Sequence, residues 1–288
     1  MCRFIAYLGS PIKLEDLLYN PTNSLIKQSY QSKERDVPVN GDGFGIGWYN
    51  FAEDSEPCVQ TYITPAWSNR NLQRLSRQIS APNIFAHVRA ASPGLVVMDT
   101  NVHPFQYQNL LWMHNGSVAE FEKIKRPLRA SLPDKFYNFI QGTTDSEHAF
   151  ALFLNHLKKP PFEADVAAMR EALVATIHDL DNYTNEAKIT DTSFYNFAVT
   201  NGKELVVSRY RSNNNEESAS LHYSRGKNYT VSPSGEYDLE KVSDGKEAEY
   251  VIISSEILTE NTEDYPDVPE NQTICVREDL SFEIEEIV

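Results

Sequence analysis

Two blocks of β-patterned sequence bracket a pair of amphipathic helices, and that order most narrows the folds open to this chain. The first block opens with Phe4-Ile5-Ala6-Tyr7-Leu8, an unbroken apolar strand. It continues with strands over residues 58–63, 83–92 and 109–113. Short helical pieces are expected around Leu14, Leu17, Leu18, Leu25 and Ile26, and around Leu72, Leu75 and Ile79, from their spacing. Thr144-Asp145-Ser146-Glu147 then fits a capping box, with Thr144 as N-cap and Glu147 at the third helical position. Phe150, Phe153, Leu154 and Leu157 supply one apolar face, and Val166, Met169, Leu173, Ile177 and Leu180 supply a second. From Ser193 the pattern returns to β. Residues 194–200 and 204–209 flank Asn201-Gly202, a hairpin signal, and further strands are expected at 218–224, 249–254, 273–277 and 281–287. Strands, two helices and strands again, without repeat or linker, predict one α+β domain over 1–288, its helices layered on antiparallel sheets.

The charge balance restricts partners. With 26 basic and 41 acidic residues the net charge is −15, which repels phosphate backbones and argues against nucleic acid and anionic membranes. No apolar run is long enough to span a bilayer, and the N-terminus lacks a signal peptide's basic flank. Three scattered cysteines, Cys2, Cys58 and Cys275, argue for a reducing compartment rather than a disulfide framework. A cytoplasmic protein is expected.

Cys2 is the residue with the most chemistry. If Met1 is trimmed, one residue carries both a thiol and a free α-amine, whose ordinary pKa is about 7.7–8.0. Such an amine can accept the thiol proton near neutral pH and so activate its own nucleophile. Alone, Cys2 reads more readily as an inert residue beside the first strand, since a lone cysteine is weak evidence. Asn40-Gly41-Asp42-Gly43-Phe44-Gly45-Ile46-Gly47-Trp48-Tyr49 carries four glycines at alternate positions. They suit either a tightly packed strand or a loop facing a substrate, and they do not match a phosphate loop. Residues 83–92 run into a Ser-Pro-Gly turn at 92–94, and the strand at 109–113 ends in His114-Asn115-Gly116, where Asn-Gly predicts a tight turn. Hydrolysis of a γ-glutamyl amide needs a nucleophile, oxyanion donors, and clamps for an α-carboxylate and an α-amine. Cys2, then Asn115 with Gly116, then Arg89, then Asp145 can supply these. Each has a plainer reading when taken singly: a strand-end ion pair for Arg89, a turn for Asn115-Gly116, and a dipole-favoured acid for Asp145. His87, His103 and His114 lack metal-ligand spacing such as H-E-x-x-H, so no metal and no cofactor is expected.

Met1-Cys2-Arg3, Gly41-Asp42-Gly43-Phe44-Gly45, His87-Val88-Arg89, Asn101-Val102-His103-Pro104-Phe105, His114-Asn115-Gly116 and Thr144-Asp145-Ser146-Glu147 occur in one order over the first half. Together they resemble the class II glutamine amidotransferase domain, an N-terminal-nucleophile hydrolase. Val251-Ile252-Ile253-Ser254-Ser255-Glu256 resembles one of that domain's later strands. The resemblance implies a four-layer αββα sandwich of two antiparallel sheets. It implies Cys2, Asn115 and Gly116 as catalytic residues, and Arg89, Asp145, His87 and His114 on the substrate side. The family's aminosugar branch has Thr-Arg-Trp after the histidine, where this chain has Val88-Arg89-Ala90. The motifs stand nearer the stand-alone branch, which includes the ergothioneine-pathway γ-glutamyl hydrolase and the fungal glutathione-degrading amidotransferase subunit.

The expected activity is hydrolysis of a γ-glutamyl amide, either glutamine or a γ-glutamyl thiol conjugate, through a glutamyl thioester on Cys2. Three alternatives stay open: a glutaminase subunit delivering ammonia to a synthase on a separate protein partner, a catalytically silent binding module, and a Cys-His hydrolase using His87 or His114. Intact mass separates the silent module from the readings that need the free amine, because the amine acts only after loss of Met1. A Cys-His hydrolase tolerates a retained Met1, and its activity is insensitive to N-terminal extension.

Overall fold

A computed structural model describes residues 2–34, 39–91, 96–232, 234–241 and 247–288. Met1 and the turn expected at 92–94 lie outside the described residues, as does part of the polar stretch at 31–40. In chain order the first half contains β1 (Arg3–Lys13), α1 (Glu15–Leu18), α2 (Leu25–Gln31), β2 (Phe44–Trp48), β3 (Cys58–Tyr62), α3 (Arg70–Leu75), β4 (Ser80–Val88), β5 (Phe105–Tyr107) and β6 (Leu110–Ser117). The helical middle holds α4 (Phe121–Ser131), α5 (Asp134–Tyr137), α6 (Asp145–His156) and α7 (Val166–Glu186). The closing strands are β7 (Phe194–Thr200), β8 (Leu205–Arg209), β9 (His222–Val231), β10 (Tyr237–Lys241), β11 (Tyr250–Ser254), β12 (Gln272–Val276) and β13 (Phe282–Glu286).

These strands form two sheets, ordered β10-β9-β11-β1-β4-β2-β3 and β13-β12-β8-β7-β6-β5, in which every named pair is antiparallel. β1 shows why its sequence is unbroken in apolar residues. Phe4, Ala6 and Leu8 enter the core between the sheets, where they join Leu111 and Met113 of β6 and Val251 and Ile253 of β11. Ile5 and Tyr7 point the other way, into a core closed by Leu17, Leu18, Leu25 and Ile26 of α1 and α2. A strand buried on both faces reads as a continuous run rather than an alternation. On the far side, Trp112 of β6 and Phe197 of β7 pack under Phe150 and Phe153 of α6 and Met169, Leu173 and Ile177 of α7. Helix, sheet, sheet and helix therefore stack in four layers, as expected.

Two glycines of β2 set the approach of the sheets. A Cβ on Gly47 would lie 2.7 Å from Leu111 Cδ1, and one on Gly45 would run into the His103 carbonyl. Phe44–Trp48 is thus the closely packed strand, while Gly41-Asp42-Gly43 is the loop that precedes it.

Three expectations are corrected. His114-Asn115-Gly116 is no turn: β6 runs on through Ser117, pairing Asn115 with Asn196 and Gly116 with Tyr195. A Cβ on Gly116 would collide with the Phe194 carbonyl, so this glycine is required by a neighbouring strand rather than by a bend. Thr144 caps α6 by accepting from Glu147 N, but the Glu147 carboxylate accepts from Gln141 N at 2.9 Å and Gly142 N at 2.6 Å instead of returning to the cap. Strand β9 extends to Val231 and pairs with β10, where the pattern had suggested an end at 224.

Candidate active site

Antiparallel pairing brings the start of β1 beside the end of β4, with Arg3 opposite Val88 and Val88 opposite Phe44 of β2. Beyond the ladder the pairing continues in the loops. Arg89 N donates to Gly43 O at 2.8 Å, Asp42 N donates to Arg89 O at 3.0 Å, and Ala91 N donates to the Asp42 carboxylate at 2.9 Å. Half-buried Cys2 sits at this corner, its thiol donating to Ala90 O at 3.6 Å.

Arg89 is 3% exposed, yet it is almost without partners. Its Nη1 has a long contact of 3.5 Å to Asp42 O, and its buried Nη2 has no hydrogen-bond partner. Among the described residues no carboxylate lies within ion-pair distance. A buried cation left unpaired is costly, so the strand-end ion pair that sequence alone allowed is not what holds it.

The second sheet reaches the same corner through Asn115 of β6, which meets Ser255, the residue after β11 of the first sheet. Asn115 Nδ2 donates to Ser255 Oγ at 3.0 Å, and that hydroxyl also accepts from Phe4 N at 3.0 Å. Asn115 is thereby one hydroxyl away from the backbone two residues past Cys2. Its Oδ1 is buried without a partner, and its amide nitrogen carries a second N–H. Asp145, at the start of α6, accepts from Val118 N at 2.8 Å and Ser146 N at 2.8 Å, which ties the helix to the end of β6 beside Gly116. All five residues singled out for the chemistry thus lie at one end of the sandwich. Cys2 and Arg89 stand on one sheet, Asn115 and Gly116 on the other, and Asp145 on the helix above.

The histidines lie beneath. His114 Nε2 donates to Phe194 O at 2.9 Å, which leaves Nδ1 to accept from the Ser146 hydroxyl at 2.9 Å. Burial pushes His114 below its ordinary value, offset in part by the Asp145 charge. His87 Nε2 donates to His114 O at 3.2 Å, and burial above all lowers it to about 3. Its ring lies 4.2 Å from that of His103, which burial also pushes well below the usual range. These are neutral rings, wedged between the sheets at the ends of β4 and β6. Among the described residues no group of three His, Cys, Asp or Glu side chains could hold a metal ion.

Sequence reading places Arg3, Ser255 and Glu256 within its motifs but gives none of them a role. Their signal was faint: a charge directly before an apolar strand, and Ser-Glu directly after another.

The profile of the family described as "Glutamine amidotransferases class-II" matches residues 20–279. The chain belongs to the class II glutamine amidotransferases. Among its relatives in this family, the Saccharomyces cerevisiae protein named "Probable glutamine amidotransferase DUG3" is 40% identical over 96% of this chain and 82% of its own length. The "Gamma-glutamyl-hercynylcysteine sulfoxide hydrolase" of Mycolicibacterium smegmatis is 30% identical over 41% of this chain and 52% of its own. The solved glutamine aminotransferase class-II domain protein from Silicibacter pomeroyi superposes with a TM-score of 0.66 at 22% identity, covering 99% of both chains. It shows that this amidotransferase has the N-terminal-nucleophile hydrolase fold. Among the described residues no helix is long and apolar enough to cross a membrane.

Proposed function

We propose that this class II amidotransferase hydrolyses a γ-glutamyl amide, with Cys2 as nucleophile once Met1 has been removed. The observation that carries the reading is the buried Arg89 guanidinium, which among the described residues has no anion of its own beside Cys2. A glutamyl α-carboxylate supplies that anion and accepts bidentately. Asp145 takes the α-ammonium. An ionised carboxylate has about four acceptor sites, and the Val118 and Ser146 backbone N–H groups occupy two of them. Held at both ends of the zwitterion, the substrate presents its γ-carbonyl to the sulfur.

In the first step the thiol proton passes to the Cys2 α-amine and the thiolate attacks the γ-carbon. The free N–H of Asn115 Nδ2 and the Gly116 N–H receive the oxyanion. Collapse breaks the C–N bond, and the protonated amine gives its proton to the leaving nitrogen. Water, deprotonated by the same amine, then cleaves the glutamyl thioester. His87 and His114 act here from below the pocket. As neutral rings bound to main-chain carbonyls they fix the strand ends that carry Arg89 and Asn115. The stretch 1–288 works as one domain in this reading, because β1 from its beginning pairs with β11 from its end.

The relatives named as a glutamine amidotransferase and as a γ-glutamyl hydrolase support the substrate class. The test is a panel of glutamine, glutathione and γ-glutamyl thiol conjugates offered to mass-verified, Met1-free protein. Turnover of at least one, abolished in a folded Cys2→Ala variant, is expected. Normal turnover by Cys2→Ala would refute the assignment.

A further inference from the structure

A nucleophile at a chain end is held from one side only, and chain ends fray unless tied down. After loss of Met1, Cys2 has a covalent neighbour solely at its carbonyl, and the β1–β4 ladder begins at Arg3. What lies on that carbonyl is the Arg3 guanidinium: Nη1 donates to Cys2 O at 2.9 Å. The other nitrogens are equally engaged. Nη2 donates to Glu34 O at 2.8 Å, and Nε donates to Glu256 Oε1 at 2.6 Å and to Ser32 Oγ at 3.2 Å.

Glu256 is fully buried, and Arg3 is 1% exposed. Besides Arg3, the carboxylate accepts from the Ser32 hydroxyl, from Lys33 N at 3.1 Å, from Glu34 N at 3.3 Å and from Asn23 Nδ2 at 3.3 Å. Burial alone would raise its pKa, but these donors and the Arg3 charge hold it below the ordinary carboxylate range. A buried ion pair of this kind is a weak source of stability, since apolar residues of similar volume commonly do as well or better. It does fix geometry. One planar fork joins three segments: the Cys2 peptide, the 32–34 stretch after α2, and the exit of β11.

We propose that Arg3 is a positioning residue for the nucleophile. By bonding the Cys2 carbonyl from a guanidinium whose every nitrogen is anchored, it fixes the plane of the Cys2–Arg3 peptide and so places the Cys2 Cα that carries both the amine and the sulfur. Glu256 holds the fork and cancels its charge, so the Cys2 amine keeps its basicity. The inference rests on Cys2 being the nucleophile. Lysine cannot replace the arginine, because a single ammonium on a flexible stem cannot span the carbonyls of Cys2 and Glu34 and the Glu256 carboxylate at once.

The test uses Met1-free protein carrying Arg3→Lys, Ser32→Ala or Cys2→Ala. Rates are expressed per folded molecule, and Cys2 alkylation by iodoacetamide is followed against pH. In Arg3→Lys, kcat falls on the order of 10²-fold, the cost of a misplacement near 1 Å. KM stays within about twofold, because Arg89 and Asp145 are untouched, and the alkylation pH profile shifts. Ser32→Ala removes one bond from each of Arg3 and Glu256 and gives a smaller fall of the same kind, which keeps the question answerable if Arg3→Lys does not fold. Unchanged kcat and an unshifted profile in the folded variants, with Cys2→Ala inactive, overturn the positioning role alone. Turnover by Cys2→Ala overturns the nucleophile assignment, and this inference with it.

Discussion

Replacing Arg89 by methionine separates binding from folding, because the two respond with opposite signs. In the free protein the guanidinium is buried, with one long contact to Asp42 O and no carboxylate among the described residues to neutralise it. A buried ion without a partner carries a penalty of several kcal/mol, even after relaxation. Methionine keeps most of the volume and removes the charge, so thermal unfolding moves upward or stays level. With substrate bound, the same change leaves the glutamyl carboxylate buried and unpaired. Truncating one side of a buried charge pair costs about 2–5 kcal/mol, which is a loss in kcat/KM of about 30-fold to several thousand-fold. The assays are a melting curve and steady-state kinetics on the same preparation. A melting point lowered by several degrees with kcat/KM unchanged would refute the reasoning, for it would mean that Arg89 is a structural cation and not a substrate clamp.

Asp145→Asn leaves the Thr144 cap in place, so α6 persists while kcat/KM falls by about 30-fold or more. The loss should shrink for substrates acylated at the α-amine, and an equal loss for both kinds of substrate would contradict the assignment. Gly116→Ala forces a Cβ to within 2.6 Å of His114 Nε2 and into the Phe194 carbonyl. It should cost about 1–3 kcal/mol in urea unfolding and, through the displaced oxyanion donor, about 10²-fold in kcat. The buried histidines make stability depend on acid. Burial lowers His87 to about 3 and His148 to about 4, against about 6.5 when unfolded. The stabilisation is complete above 6.5 and is lost as pH falls, since the unfolded chain then binds protons that the folded chain excludes. Each contributes a slope of about 0.7 kcal/mol per pH unit at 6.5, rising toward about 1.4 near pH 5. Glu147 and Asp181, both raised by burial, act in the opposite sense only nearer their own range. A flat urea midpoint from pH 6.5 to 5 would contradict this. Burial also pushes the Cys275 thiol up to about 12, so iodoacetamide near neutral pH should leave Cys275 unmodified while Cys2 reacts, as peptide mapping can check.

What sequence could reveal here follows from where the information lies. Phe4 to Leu8, the Asn201-Gly202 hairpin and the faces of α6 and α7 are local patterns whose periodicity is imposed by large cores, and they read correctly. Gly202 does adopt a positive φ of 93°, as its turn requires. The segment between Ser117 and Asp145 gave no such signal. Helix α4 buries only Ile124 and Leu128 and carries Pro127 within it, so a narrow apolar stripe is masked by a residue that ordinarily breaks helices. Asn115-Gly116 misled for the reverse reason. The dipeptide has turn chemistry, but its conformation is dictated by β7, eighty residues away in sequence. The candidate site was legible as a set of residue types in order, and its connections were not. That Ser255 links Asn115 to Phe4, and that Arg3 meets Glu256, depends on a sheet closing the two ends of the chain upon each other.

The account turns on a covalent bond between Cys2 and the glutamyl carbonyl, and acid-quenched intact mass measured during turnover tests it most directly. Met1-free protein mixed with a γ-glutamyl substrate and quenched within its first turnovers should gain the mass of one glutamyl group, located by peptide mapping on the fragment that begins with Cys2 and absent from Cys2→Ala. Steady turnover with the adduct on another residue, or with Cys2 still blocked by Met1, would contradict it.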